Sequence, residues 1–294
     1  TATGTVRLYA TSDGSLLGAT NHSDAITSIA FSPDNERLLT GSRDKTARLW
    51  LLVPVHSSGS TQNSDQNNRD TLFAIRESGI LHGHTKEVRQ VVFDATGQLA
   101  ATATDRINIY DVGTQRSSND PIHRYEVGRT IDRIQFAKDS RRILGLAGKR
   151  SLVWNFDTAR GVVTLRQDGK VPAIDLSQDG LRIATAGDDQ VLRLWQTRDG
   201  RQIWATKKLG NPLKALDVDP QDRLIAASDV GGKVHVHSMD DGAKKFTLTG
   251  HAHPIPIVRF LSDSTRLLTA GADSKTSDEG RATVVGIQGR VLSV

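Results

Sequence analysis

The feature that most constrains this 294-residue chain is that it repeats itself. Segments of similar pattern end at Tyr9, Trp50, Tyr110, Trp154, Trp195, His237 and Gly286, at intervals of 41, 60, 44, 41, 42 and 49 residues. The long intervals contain polar insertions, HSSGSTQNSDQNNRD at 56–70 and SKTSDEG at 274–280. Without them the period is close to 42. A fixed period of this size marks a repeat architecture, in which each supersecondary unit buries its apolar face only against its neighbours.

Within each period the order is constant. An alternating apolar segment (ITSIAFS, VRQVVFD, IDRIQFA, PAIDLS, LKALDVD, PIVRFLS) is followed by a turn rich in Asp, Asn, Gly, Ser and Pro. A short apolar run follows (RLLTGS, QLAATAT, RIATAG), then the segment ending in the aromatic or its substitute, then a more polar stretch. Alternation with period two, bounded by such turns, predicts four short antiparallel strands per repeat. No convincing helical period is present, so the fold class is all-β. Composition excludes several alternatives. The chain has no cysteine, which removes disulfides, thiol nucleophiles and cysteine-based metal sites. No apolar run reaches the length of a membrane-spanning helix, and no basic–apolar leader opens the sequence.

Period, strand count, Gly-His pairs before the first strand (Gly83-His84, Gly250-His251) and the aromatic end of the third strand resemble the WD-repeat family of β-propellers. The best match is His22 to Trp50, containing SIAFSPDNERLLTGSRDKTARLW. The resemblance implies a propeller of four-stranded antiparallel blades, seven in number, spanning 1–294 as one domain. Residues 1–19 would supply only the third and fourth strands of the first blade, and 20–294 would make six more. The polar insertion 56–70 would be disordered, since it lacks the apolar residues to offset its ordering entropy. A half blade leaves an open edge, so the missing strands are expected upstream of Thr1 or beyond Val294. With Met239 as the only methionine, the chain is expected to be an excised or processed piece.

The resemblance also assigns structural roles. His22, Thr40, Asp44 and Trp50 match the family's hydrogen-bonded tetrad. His84, Thr102, Asp105 and Tyr110 form a degraded version, and Thr185, Asp189 and Trp195 a partial one. Their physics is plain: a buried indole N–H needs an acceptor, a threonine hydroxyl supplies it, and an imidazole bridges that hydroxyl to an aspartate. The set imitates a Ser/His/Asp catalytic group, but its hydroxyl faces an indole instead of solvent, so no catalytic residue is expected. Repeats 4, 5 and 6 lack the histidine. His235, His237, His251 and His253 form two His-x-His pairs, yet His237 occupies the Trp position and His251 the loop-His position, so packing outweighs a metal. Gly145–Arg150 and Gly231–Lys233 contain Gly-Lys without the spacing of a phosphate loop. No cofactor, no metal and no membrane partner is expected.

Charge gives the functional lead. The net charge is +5, and the stretch from Arg124 to Arg150 carries the same excess: Arg124, Arg129, Arg133, Lys138, Arg141, Arg142, Lys149 and Arg150 against Glu126, Asp132 and Asp139. In the family, the lead-in to the first strand and the turn before the third face one rim. Those sites here are Asp24, Arg43, Lys86, Arg129, Lys149, Lys170, Asp188, Asn211 and His253. Arg43, Lys86, Arg129, Lys149 and Lys170 would then form a basic arc for an acidic or phosphorylated protein segment. The expected function is a non-catalytic scaffold binding a peptide or protein on its rim, as a module of a larger protein or complex. The alternatives are nucleic-acid or phosphate-rich ligand binding through the fourth-repeat cluster, which lacks interleaved aromatics apart from Tyr125 and Phe136, and an enzyme with a central-channel site, for which no paired carboxylates appear.

Overall fold

The structure is a computed structural model that describes residues 4–11, 13–55, 72–113, 119–137, 139–156, 163–165, 167–271, 281–286 and 291–293. The insertions 56–70 and 274–280, and Lys138, lie outside the described residues. Every described element is a strand, and the strands form one two-stranded and six four-stranded antiparallel sheets in sequential order. The chain divides into two compact units, Thr1–Phe136 and Ala137–Val294.

In the N-terminal unit the first sheet pairs Thr5–Tyr9 with Leu16–Asn21. The second contains Ile26–Phe31, Arg37–Ser42, Ala47–Val55 and Leu72–Leu81. The third contains Gln90–Phe93, Leu99–Ala103, Arg106–Asp111 and His123–Glu126. Arg133–Phe136, first strand of the fourth set, ends this unit. The C-terminal unit holds Arg142–Ala147, Arg150–Asn155 and Val163–Leu165 of that set. Its fifth sheet is Ala173–Leu176, Arg182–Ala186, Leu192–Gln196 and Gln202–Ala205. The sixth is Leu213–Val218, Leu224–Asp229, Lys233–Ser238 and Lys244–Thr249. The seventh is Ile257–Phe260, Arg266–Gly271, Arg281–Gly286 and Val291–Ser293.

The turn between the first two strands is built the same way in the second, fourth and seventh sheets. An aspartate caps backbone N–H groups and takes the guanidinium of an arginine three residues on: Arg37 on Asp34 at 2.9 Å, Arg142 on Asp139 and Arg266 on Asp263 at 2.7 Å. The residue after that aspartate adopts the left-handed conformation at Asn35, Ser140 and Ser264, and the equivalent Gly180 and Asp222 do the same. This explains why Asn, Asp, Ser and Gly recur there.

Apolar side chains fill the space between consecutive sheets. Leu39 and Leu49 meet Val91, Ala100 and Tyr110 across the second and third sheets. Leu194 and Leu192 meet Leu216 and Ile225 across the fifth and sixth. One face differs. Ile29 and Phe31 are 53% and 47% exposed, whereas Val91, Ile134, Ile174, Leu216 and Val258, equivalent to Ile29, are 6% exposed or less. The two-stranded sheet reaches only the outer part of that side, where Val6 and Leu8 pack on Leu38 and Trp50.

First strands are also stapled to one another by polar side chains. Ile134 N–H donates to Gln90 Oε1 at 2.6 Å, Val91 N–H to Ser28 Oγ at 3.2 Å, Val218 N–H to Asp175 Oδ2 at 2.9 Å, and Phe260 N–H to Asp217 Oδ2 at 2.6 Å. An inner strand has a neighbour on one side only, and these side chains satisfy donors that the sheet leaves open. Gln90→Leu should therefore strand the Ile134 N–H and cost about 1–2 kcal/mol in a urea titration. A loss below about 0.5 kcal/mol would show that water satisfies this group instead.

Candidate functional site

The tetrad residues of the second sheet are assembled into one relay. His22 sits just before the first strand, Thr40 on the second, Trp50 on the third, and Asp44 in the intervening turn. Trp50 Nε1–H donates to Thr40 Oγ1 at 2.9 Å, and Thr40 Oγ1 lies 2.6 Å from His22 Nε2. His22 Nδ1 lies 2.9 Å from Asp44 Oδ2. One proton arrangement satisfies all of it: indole to hydroxyl, hydroxyl to Nε2, Nδ1–H to carboxylate. The turn holds Asp44 through the Thr46 amide at 2.9 Å and its hydroxyl at 2.6 Å. Burial lowers the His22 pKa despite Asp44, keeping the ring neutral. Burial acts upward on Asp44, but bonds from Thr46 and His22 prevail and hold it well below the usual carboxylate range. Thr40 has no solvent exposure and its proton is committed, so it is no nucleophile.

The third sheet departs from the sequence expectation. His84 Nε2 meets Thr102 Oγ1 at 2.8 Å, but its Nδ1 meets the Leu81 carbonyl at 3.1 Å, not Asp105. Asp105 instead pairs with Lys86 at 2.7 Å, which lowers its pKa. The cause is hairpin length. Four residues separate Ser42 from Ala47, but only Thr104 and Asp105 separate Ala103 from Arg106, so the acid does not reach back to the imidazole. Asn108 fills the gap, donating to the Tyr110 hydroxyl at 3.1 Å, which donates to the His82 carbonyl at 2.7 Å.

In the fifth sheet Trp195 Nε1–H donates to Thr185 Oγ1 at 2.8 Å, and Thr185 donates to Gln167 Oε1 at 3.0 Å. Gln167 thus stands where the second, third and seventh repeats have histidine. Its type concealed it, but its spacing does not. The pairs His22–Thr40, His84–Thr102, Gln167–Thr185 and His251–Thr269 are all 18 residues apart. Asp189 pairs with Arg193 at 2.6 Å. In the sixth sheet His235 Nε2–H donates to buried Asp229 at 3.0 Å, and His237 Nδ1–H to the Gly242 carbonyl at 2.9 Å. Among the described residues no three His, Asp or Glu side chains converge on a metal-sized site.

The cations form a different kind of surface. In the N-terminal unit the Arg43 turn is tied to the lead-in strand by Arg43 N–H to the Ala25 carbonyl at 2.9 Å. Arg43 and Lys86 are both 63% exposed at the side chain, and Arg129 is exposed. Each of the first two has an acidic neighbour, Glu87 at 3.8 Å from Arg43 and Asp105 on Lys86. Arg89, absent from the sequence-based arc, joins Arg43 beside Glu87. In the C-terminal unit Lys149 and Lys170 are exposed, and Asp188 N–H donates to the Lys170 carbonyl at 2.9 Å.

Four-stranded sheets in sequential order, one of them tied by a Trp–Thr–His–Asp relay, define blades of the propeller type. The pattern of the WD domain, G-beta repeat, matches residues 14–50, 76–108 and 161–196, so the chain carries WD repeats at these three places. It is similar to the guanine nucleotide-binding protein subunit beta of Oryza sativa subsp. japonica, 26% identical over 63% of this chain and 60% of that protein. It is 28% identical to pre-mRNA-processing factor 19 homolog 2 of Arabidopsis thaliana over 77% of this chain and 40% of that protein. Protein HIR1 of Cryptococcus neoformans var. neoformans serotype D is 26% identical over 80% of this chain, which spans 29% of its length. The chain therefore spans less than two thirds of these relatives.

Proposed function

We propose that this chain is a non-catalytic interaction module that binds an acidic or phosphorylated segment of a partner protein through cations at its strand lead-ins. The carrying observation is how the two polar populations are used. The His, Thr, Asp and Trp side chains that imitate a catalytic group bond to one another inside the sheet. Arg43, Lys86, Arg129, Lys149 and Lys170 are exposed instead, at lead-ins and turns that the strands themselves do not use. Relatives named as a guanine nucleotide-binding protein subunit beta and a pre-mRNA-processing factor support a scaffold role.

The test is a triple reversal, Lys86→Glu, Arg129→Glu and Lys170→Glu, probed against an array of acidic and phosphorylated peptides near physiological salt. Binding is expected to fall at least about tenfold, mostly through slower association. Unchanged binding would sink the proposal. If affinity instead falls steeply with salt and extends to single-stranded nucleic acid, the partner class is wrong.

A further inference from the structure

One part of the lead-in surface of the N-terminal unit is more than a charged face. Ala25, Ile26 and Thr27 of the second sheet, with Arg43, Glu87 and Arg89, enclose a notch of about 370 Å³ in the N-terminal unit. Its walls are fixed by the backbone. Arg43 N–H donates to the Ala25 carbonyl at 2.9 Å, Val88 N–H to the Ser42 carbonyl at 3.0 Å, and the Thr27 hydroxyl binds the Gly41 and Val88 carbonyls. Only the charged side chains are free to adjust, and their arrangement is unequal. Arg43 Nε is 3.8 Å and Arg89 Nε 3.6 Å from the two oxygens of the same Glu87 carboxylate. Both distances exceed that of a well-made charge-assisted hydrogen bond. Two guanidinium forks therefore share one carboxylate that satisfies neither, and the trio keeps a net charge of +1.

We propose that this notch receives the phosphoryl group of a phosphorylated side chain on a partner protein, with Glu87 as a resident competitor. The inference rests on the scaffold reading above and names its ligand. A phosphoryl dianion brings three acceptor oxygens and matches both arginines at once, in bidentate geometry. A ligand carboxylate offers only what Glu87 already supplies. A singly charged side chain does not outbid Glu87, and a phosphate does. Ile26 and Ala25 offer apolar contact to the chain around the phosphorylated residue, which a free phosphate ion does not use.

The probes are acetyl-Gly-phosphothreonine-Gly-amide, the same peptide with threonine or glutamate, and inorganic phosphate, followed by the Nε–H resonances of Arg43 and Arg89. The phosphopeptide should shift both resonances and bind at least about tenfold tighter than the glutamate peptide. Glu87→Gln should tighten the phosphopeptide at least about tenfold and the glutamate peptide about fourfold, the effects of removing one charge about 5 Å from a dianion and from a monoanion in water. Arg89→Gln should abolish the phosphopeptide shift at Arg43. Binding indifferent to Arg89→Gln, or weakened by Glu87→Gln, overturns the inference. So does inorganic phosphate binding as tightly as the phosphopeptide. Arg89 and Glu87 are untouched by the triple reversal. A rim that fails on triple reversal but ignores Arg89→Gln leaves the scaffold reading standing without this site.

Discussion

Thr40→Val is expected to cost the N-terminal unit about 3 kcal/mol, more than any conservative change elsewhere on the relay. Valine keeps the shape and the β-propensity of threonine, so packing is nearly unaltered. What disappears is the oxygen that accepts the Trp50 indole N–H and the proton that meets His22 Nε2. Both partners are buried, at 4% and 6% exposure, and each is left unsatisfied at about 1–3 kcal/mol. Trp50→Phe removes one donor and leaves Thr40 bonded to His22, so its hydrogen-bond loss should be near 1 kcal/mol. In Thr40→Val/Trp50→Phe the indole orphan no longer exists, and the double variant should be less destabilised than the sum of the singles. Thr40→Ser, which retains the hydroxyl, should recover most of the loss. Urea unfolding of the four variants decides the matter. If Thr40→Val costs under about 1 kcal/mol, the relay is decoration and the apolar contacts between sheets carry the unit.

What the sequence revealed and what it withheld follow from range. Period, strand order and turn chemistry are local properties, and SPDNER and DKTARLW read as turn and strand because each residue acts within its own few neighbours. The relay of the second sheet was readable for the same reason, since its residue types are distinctive and its loop has the usual length. Gln167 was hidden because an amide does the work of an imidazole there: its Oε1 accepts the Thr185 proton while its Nε2 donates to Ser151 at 3.1 Å. The constant 18-residue spacing was the available signal. Asp105 misled because type was matched while the hairpin was two residues shorter. Arg89 and Glu87 were invisible as a pair with Arg43, because they lie 46 and 44 residues from it in the chain and meet it only where two sheets pack. Such meetings depend on packing, which a linear pattern does not encode.

The same burial that makes the relay structural also sets how acid acts on it, with opposite signs at two places. Burial pushes His84 down to about 4, against an unfolded value near 6.5, despite the Leu81 carbonyl. Between those values the unfolded chain takes up a proton that the folded one refuses, so stability present at neutral pH is lost as pH falls from about 6.5 to 4. The loss approaches 3 kcal/mol, at about 1.4 kcal/mol per unit. Burial raises Asp217 to about 6, helped by Asp175, while the Phe260 amide and Arg259 at 2.5 Å act the other way. Here the folded chain binds the proton first, so acid between pH 6 and 4 relieves up to about 3 kcal/mol of strain. His22 and His237, both lowered by burial, follow the direction of His84. His84→Gln borrows the fifth sheet's own substitute and should flatten the acid-side loss. Asp217→Asn keeps an acceptor for Phe260 N–H and should remove the acid-side gain. Measured by urea titration from pH 7 to 4, the two variants should therefore diverge from the parent in opposite directions. If both shift the same way, burial does not govern the titration of these groups, and the neutral relay loses its physical basis.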